Sequence, residues 1–217
     1  MTDGPKDSLH LRADARRNRR MVLDAARETI AERGLDAPLE EIARRAGVGI
    51  ATLYRRFPDR AALVRAVAED NMAVIGQEAE LAEAEESDPW QALTRVLHAA
   101  VTCRVGVLAP MALPQLRAEL SAHSTLWERR GEVVRRLEDL LAAAQRQELV
   151  RRDIGLGDIA LGLVKLSRPM PGMDPKLDDE VTRQLLAIYL DGLQATSVPS
   201  STRAPRRMDD VDREFGL

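Results

Sequence analysis

The residues whose side chains could take part in specific recognition lie close together, between Ile50 and Phe57. If this segment is a helix that turns by about 100° per residue, then Ile50, Leu53 and Phe57 share an apolar side. The opposite side carries methyl, hydroxyl and guanidinium groups, which belong to Ala51, Thr52, Arg55 and Arg56. Methyl groups can contact thymine methyls, a hydroxyl can bond a base edge or a phosphate, and arginines can reach guanine or phosphate. The pattern therefore predicts a helix that enters the major groove of DNA.

A short helix is predicted ahead of this segment, from Leu39 to Ala46, with Pro38 suited to its first turn. Ile42 and Ala43 form the apolar side of this helix, and the small Ala43 lets a second helix cross closely above it. The predicted core of the two-helix motif consists of Ile42, Ala43, Leu53 and Phe57.

The predicted turn between the two helices is Gly47-Val48-Gly49. Gly47 can adopt the positive φ that a tight turn needs, and Val48 can fill the corner between the helices. Pro38 and Gly49 stand at the two helix starts and are weak N-caps, because neither offers a side-chain acceptor. Residues 38–57 are thus predicted to form a helix-turn-helix whose order depends on packing more than on capping.

This stretch resembles the DNA-binding domain of the TetR family. The resemblance covers roughly residues 16–67. It rests on matched positions, namely Ile42-Ala43, Ala46-Gly47-Val48, Thr52-Leu53-Tyr54, Phe57 and Leu63. It implies a homodimeric transcriptional regulator, usually a repressor, that binds a palindromic double-stranded DNA operator. It also implies that the C-terminal helices bind a small-molecule effector, which releases the protein from DNA.

Single positions extend the resemblance. Thr52 and Tyr54 match the family's DNA-contacting threonine and tyrosine. Arg60 stands where the family often has a lysine that grips phosphate, and Arg56 replaces the usual histidine with a permanent cation. Family members expose the position of Ile50 to DNA, whereas the helical wheel turns it inward. The candidate DNA-binding residues are Ala51, Thr52, Tyr54, Arg55, Arg56 and Arg60.

The whole chain is predicted to be all-α, with about nine helices. We expect a flexible arm over residues 1–14, a DNA-binding domain over 15–67, a helical ligand-binding and dimerisation domain over 68–196, and a disordered tail over 197–217. Residues 1–65 hold 14 basic and 10 acidic side chains, whereas the remainder holds 18 and 25. The basic excess of the N-terminal part favours contact with phosphate there.

The last helix of the predicted body, Asp178 to Ala195, carries two apolar stripes and therefore requires burial on two sides. The stripes are Val181, Leu185, Ile188 and Gly192, and Leu186, Tyr189, Leu190 and Leu193. One stripe can face its own domain while the other meets a partner, which predicts a four-helix dimer interface shared with the preceding helix. The candidate interface residues are Ile159, Leu163, Leu185, Ile188 and Tyr189. A monomeric bundle that covers both stripes is the alternative.

The candidate lining of an effector pocket is His98, Met111 and Trp127, although such side chains at helical spacing usually belong to a core. The histidines and Cys103 lack metal-ligand spacing, and Gly155-Leu-Gly157 lacks the preceding strand of a dinucleotide site. No cofactor is predicted. An enzyme built on the C-terminal helices has no nucleophile and base pair to support it. An activator, or a regulator without a ligand, is an open alternative to a ligand-responsive repressor.

The composition also bears on the compartment. The single cysteine excludes an internal disulfide, and the chain has neither a signal sequence nor an apolar run of about 18 residues. We therefore expect a cytoplasmic protein with no membrane partner.

Overall fold

The computed structural model describes residues 5–104, 124–195 and 204–215, and these residues form nine helices. The helices are α1 (Pro5–Arg33), α2 (Leu39–Arg45), α3 (Ile50–Arg56), α4 (Arg60–Glu85), α5 (Pro89–Thr102), α6 (Ser124–Arg146), α7 (Leu156–Leu166), α8 (Pro175–Leu193) and α9 (Met208–Phe215). Within this part of the chain, no helix is both long and apolar enough to cross a membrane. The predicted all-α fold class is confirmed.

The chain divides into two compact units, Met1–Val67 and Ala68–Leu217. The division falls inside α4. In the first unit α2 packs on α1 and α3 packs on α2. Since α2 and α3 have seven residues each, packing rather than intrinsic helix propensity must stabilise them. The buried side chains around them include Leu23, Ala26, Ile30, Leu63 and Val67.

The N-terminal boundary of the first unit differs from the prediction. A flexible arm was expected over residues 1–14, but α1 begins at Pro5. Proline is favoured at the first position of a helix, and the following residues include leucine, arginine and alanine, which are strong helix formers. Helix formation needs no apolar face of its own once the segment extends a helix that is already packed.

The core of the second unit is built from the C-terminal part of α4 together with α5, α6, α7 and α8. Asp88 caps α5, because its carboxylate accepts a hydrogen bond of 2.8 Å from the backbone N–H of Trp90, and Pro89 opens the helix. The fully buried side chains of this core include Leu93, Leu97, Ile159 and Leu186. The sequence also predicts a short helix after Pro114 that runs to about Ala122, and these residues lie outside the described part of the chain.

The C-terminal boundary also requires correction. Residues 197–217 were expected to be a disordered tail, but Met208–Phe215 form α9, which packs on α7. Val211 of α9 is buried, and the Asp212 carboxylate pairs with Arg130 of α6 through two hydrogen bonds of 2.9 and 2.5 Å. A polar composition predicts disorder only when the polar groups find no specific partners, and here they do.

Candidate nucleic-acid interface

Ion pairs fix α2 on α1. The Arg45 guanidinium donates two hydrogen bonds of 2.8 Å to the two carboxylate oxygens of Glu32 and lies 3.5 Å from Glu28. On the opposite flank, Arg33 lies 2.8 Å from Glu41. The hydrogen bond to Glu32 raises the pKa of Arg45 above its usual value, so the guanidinium of this bidentate pair stays charged. These ion pairs set the orientation of α2, the first helix of the motif.

The turn has the geometry that the sequence predicts. Gly47 has a φ of +67°, a backbone conformation that residues other than glycine rarely adopt. The backbone N–H of Val48 donates a 3.0 Å hydrogen bond to the carbonyl of Ala43, which closes the C-terminal end of α2. Pro38 and Gly49 occupy the N-cap positions of α2 and α3, and neither forms a side-chain cap. Packing must therefore compensate for the absent caps.

The apolar side of α3 is buried only in part. Leu53 is 1% exposed and Phe57 is 3% exposed, and they lie with the buried Ile42 and Ala43 of α2. Ile50, however, is 36% exposed, so the helical wheel placed it wrongly. A wheel describes direction around the helix axis but not depth along it, and Ile50 is the first residue of α3.

The opposite side of α3 faces outward. Ala51, Arg55 and Arg56 are exposed and Thr52 is partly buried; we call these four residues the reading face. Tyr54 is 45% exposed and lies beside them on the same helix. A seven-residue helix is about 10 Å long, which is short enough to lie within one major groove. The reading face offers a hydroxyl donor and acceptor, small methyl groups and two guanidinium groups on one rigid element.

The Arg60 side chain makes hydrogen bonds inside the protein. Its Nη1 donates hydrogen bonds to the backbone carbonyls of Leu35 and Ala37, the latter at 2.6 Å. These carbonyls belong to the connection between α1 and α2. Arg60 therefore ties the start of α4 to that connection.

Additional basic groups lie beside the end of α3. The Arg19 guanidinium of α1 stacks over the Phe57 ring at 5.6 Å from the ring centroid, which brings α1 next to the C-terminal end of α3. Arg16, Arg17 and Arg20 are exposed on the same stretch of α1. The basic excess of residues 1–65 did not indicate which arginines lie near α3; the contact between Arg19 and Phe57 does so for this stretch of α1.

Two of the three predicted effector residues lie in the described part of the structure. His98 is exposed, Trp127 is partly buried, and Met111 lies outside the described residues. The indole N–H of Trp127 is buried and, in the part of the chain that is described, makes no hydrogen bond. A cavity of about 440 Å³ lies elsewhere, and its lining includes Arg151, Asp158, Gly162, Ile188 and Tyr189.

The predicted dimer residues divide into two groups. Ile159 and Leu163 are 1% and 4% exposed, because α7 uses this side to cover the core of its own unit, so neither residue is available to a partner. Leu185 and Ile188 of α8 are 45% and 60% exposed. The second stripe of α8, which contains Leu186, Leu190 and Leu193, is buried in the chain's own core. One stripe of α8 is thus covered and the other is not.

Tyr189 lies between these two groups, and its partner Gly162 was missed. A methyl group added at Gly162 would lie 2.3 Å from the Tyr189 hydroxyl, so α7 approaches α8 closely only because that position is glycine. The Tyr189 hydroxyl lies 3.3 Å from the Ile159 carbonyl, within donating distance. The available signal in the sequence was that Gly162 is a small residue about one helical turn from a large residue on either side of it along α7.

Fold and site together define a helix-turn-helix protein with a separate helical domain, and the comparisons with known proteins place it in a family. Residues 22–67 match the family described as bacterial regulatory proteins, tetR family, and residues 88–195 match the C-terminal domain described as transcriptional regulator SbtR-like. The chain belongs to the TetR family of transcriptional regulators, whose members bind DNA.

Solved structures agree with this assignment. A TetR transcription regulatory protein from Mycobacterium vanbaalenii is 34% identical, with a TM-score of 0.54, over 85% of this chain and 99% of that chain. The TetR transcriptional regulator SCO0520 from Streptomyces coelicolor is 32% identical, with a TM-score of 0.53, over 82% and 99%. KstR2, a ketosteroid transcriptional regulator of Mycobacterium tuberculosis, is 21% identical with a TM-score of 0.54 over 82% and 95%, which supports the fold alone. None of the curated proteins matches the chain.

Proposed function

We propose that this regulator is a ligand-responsive repressor that binds a two-fold related DNA operator as a homodimer. The observation that carries the proposal is the reading face of α3, which presents one hydroxyl and two guanidinium groups outward on a helix whose other side is anchored by Leu53. A surface of this size and chemistry fits base edges and phosphates in a major groove. Repression, rather than activation, rests on what is usual in the family.

Two kinds of contact are assigned within the interface. Thr52 and Ala51 are small enough to approach base edges, so we assign them to the choice of sequence. Arg55, Arg56 and the exposed arginines of α1 carry permanent charges, so we assign them mainly to phosphate. Tyr54 lies at the edge of the reading face and is assigned a phosphate contact through its hydroxyl. Arg60 acts on DNA binding indirectly, by holding the connection before α2.

The exposed stripe of α8 supports dimerisation. Leu177, Leu185 and Ile188 recur at helical spacing and are 48%, 45% and 60% exposed in the single chain. Three large apolar side chains on one face favour association with an apolar partner. A second copy of the chain is the partner that a two-fold operator requires, because two recognition helices must reach successive major grooves about 34 Å apart.

Effector control is proposed as a shift between two dimer geometries. A ligand that binds more tightly to the geometry whose recognition helices no longer match successive grooves lowers operator occupancy. The second unit is the proposed ligand domain, and the buried indole N–H of Trp127 is a donor that an effector with a carbonyl or carboxylate oxygen can satisfy. An activator or a ligand-independent regulator would use the same reading face.

The test is the salt dependence of DNA binding. Duplexes are first selected from a random-sequence library with the wild-type protein, and affinity is then measured over a series of salt concentrations. Arg55→Ala and Arg56→Ala are each expected to weaken binding and to flatten the slope of log affinity against log salt by about one. Arg129→Ala, an exposed arginine of α6, is the matched control and leaves the slope unchanged. Equal slopes in all four proteins would refute the assignment, and failure to select any duplex would refute the function.

A further inference from the structure

The C-terminal segment 204–215, here called the strap, is held at the start of α7 by its backbone. The N–H of Gly157 donates a 2.9 Å hydrogen bond to the carbonyl of Arg206. A methyl group added at Gly155 would lie 2.1 Å from the Arg206 carbonyl oxygen, and one added at Gly157 would lie 2.5 Å from that of Arg207. Both glycines are therefore needed for the strap to lie where it does, which gives this glycine pair a structural role.

Asp158 joins the same contact. One of its carboxylate oxygens accepts hydrogen bonds from the backbone N–H of Arg206 at 2.8 Å and of Gly155 at 3.0 Å. The other oxygen lies 3.6 Å from the Arg206 guanidinium. The carboxylate that caps α7 thus also anchors the strap, so the start of α7 and the strap are ordered together.

The other end of the strap makes a side-chain contact with α6. Arg130 pairs with both carboxylate oxygens of Asp212, at 2.9 and 2.5 Å, and the two side chains are 17% and 21% exposed. The same guanidinium stacks over the indole of Trp127 at 5.5 Å from the ring. A guanidinium fixed by a bidentate carboxylate has little freedom to leave the ring, so Asp212 determines the position of the cation above Trp127.

Trp127 in turn packs against an apolar cluster that joins α6 to α4. With Met72 it flanks a small apolar cluster formed by Ala68 and Leu126. Contacts therefore run without interruption from the strap through Arg130 and Trp127 to Met72 and Ala68 of α4. The helix α4 begins at Arg60, the residue that holds the connection before α2.

We propose that the strap is a latch whose docking fixes Trp127 and the adjacent part of α4, and thereby sets the affinity of the protein for its operator. The strap lies beyond residues 88–195, where the match to the C-terminal family domain ends. The docked strap holds Arg130 over Trp127 and keeps the cluster around Ala68 closed. The undocked strap releases Arg130, exposes one face of the indole and loosens the support of α4. The latch thus adds a control on DNA binding that is separate from the effector.

The test compares Asp212→Asn with Asp209→Asn, an exposed acid on the same helix. Asp212→Asn keeps the shape of the side chain and removes its charge. In a Trp90→Phe background, Trp127 is the only tryptophan, so the tryptophan fluorescence comes from Trp127 alone. Asp212→Asn is expected to shift its emission to longer wavelength, to raise its quenching by acrylamide about twofold, and to speed trypsin cleavage after Arg206 and Arg207 about tenfold. Gly157→Ala, which undocks the backbone end, is expected to do the same, and Asp209→Asn to leave all three unchanged.

The functional consequence is measured on a duplex selected with the wild-type protein. Asp212→Asn and Gly157→Ala are expected to change operator affinity by about two- to thirtyfold, the range of coupling through packed side chains. If cleavage and emission match those of Asp209→Asn, the latch is refuted. If the strap is released but operator affinity is unchanged, the strap is only a structural closure and the proposed control is refuted. The fluorescence and cleavage measurements need no DNA, so they stand whether or not the proposed function holds.

Discussion

Ile188→Ala is expected to weaken dimerisation strongly. Burying an isoleucine side chain completely stabilises an interface by about 1.5–3 kcal/mol. Ile188 is 60% exposed in the single chain, so its burial by a partner is worth about 1–2 kcal/mol. Two-fold symmetry counts the residue twice, which gives about 2–4 kcal/mol for each dimer and raises Kd for dissociation about 30- to 1,000-fold.

Sedimentation velocity over a dilution series measures this change in Kd. Met170→Ala is the matched control, because Met170 is 58% exposed but lies in the loop between α7 and α8. Leu185→Ala is expected to give a smaller increase than Ile188→Ala, since Leu185 is 45% exposed. An Ile188→Ala dimer that dissociates at the same concentration as the Met170→Ala dimer would show that this face of α8 is not the interface.

Three further predictions concern single positions. Arg60→Ala is expected to lower the free energy of unfolding by about 1–3 kcal/mol, because two backbone carbonyls lose a charged donor, while the salt slope of DNA binding stays unchanged. A salt slope flatter by about one would show instead that Arg60 contacts phosphate. Gly162→Ala is expected to cost about 1–3 kcal/mol in urea unfolding through overpacking against Tyr189, and adding Tyr189→Leu is expected to restore part of that loss; no rescue would contradict the close approach of α7 and α8. Burial, and secondarily the charge of Asp158, raise the pKa of Tyr189 to about 12 from its ordinary 10.0. The folded state thus favours the neutral phenol, so this contribution to stability is complete below pH 10 and is lost as the pH rises through about 12. The free energies of urea unfolding of wild-type and Tyr189→Phe proteins are therefore expected to diverge over that pH range, and a constant difference between them would contradict the raised pKa.

The helix-turn-helix could be predicted from the sequence because its geometry is local. Gly47 meets the positive φ of the turn, and the spacing of Ile42, Leu53 and Phe57 fixes which sides of two short helices meet. These are properties of neighbouring residues along the chain. The reading face follows by exclusion, since whatever does not face the core of such a short helix faces outward.

The assignments that failed depended on what lies opposite a side chain. The apolar side of α7 and one of the two stripes of α8 are buried in the chain, but a stripe does not reveal whether its cover comes from the same chain. Ile159 and Leu163 are covered from within, whereas Ile188 is not. The inward placement of Ile50 by the helical wheel was wrong for a related reason, because the neighbouring helices determine how far along a helix the contact extends.

The strap was missed because its stability depends on distant partners. Its composition is polar, and composition predicts disorder when polar groups are solvated singly. Here Asp212 meets Arg130 and the backbone of Arg206 meets Asp158, which lie far away in sequence. The glycine pair at 155 and 157 was the available signal, although its meaning requires knowledge of which backbone lies against it.

The central claim is that α3 reads DNA sequence through Thr52, and selection of duplexes tests it most directly. Wild-type protein and Thr52→Ala are each used to select binding sites from the same random-sequence library, with Thr125→Ala, an exposed threonine of α6, as control. The account predicts a two-fold related site for the wild type and a changed base preference at one or two positions of each half-site for Thr52→Ala. Identical preferences for the three proteins, or no enriched site at all, would contradict it.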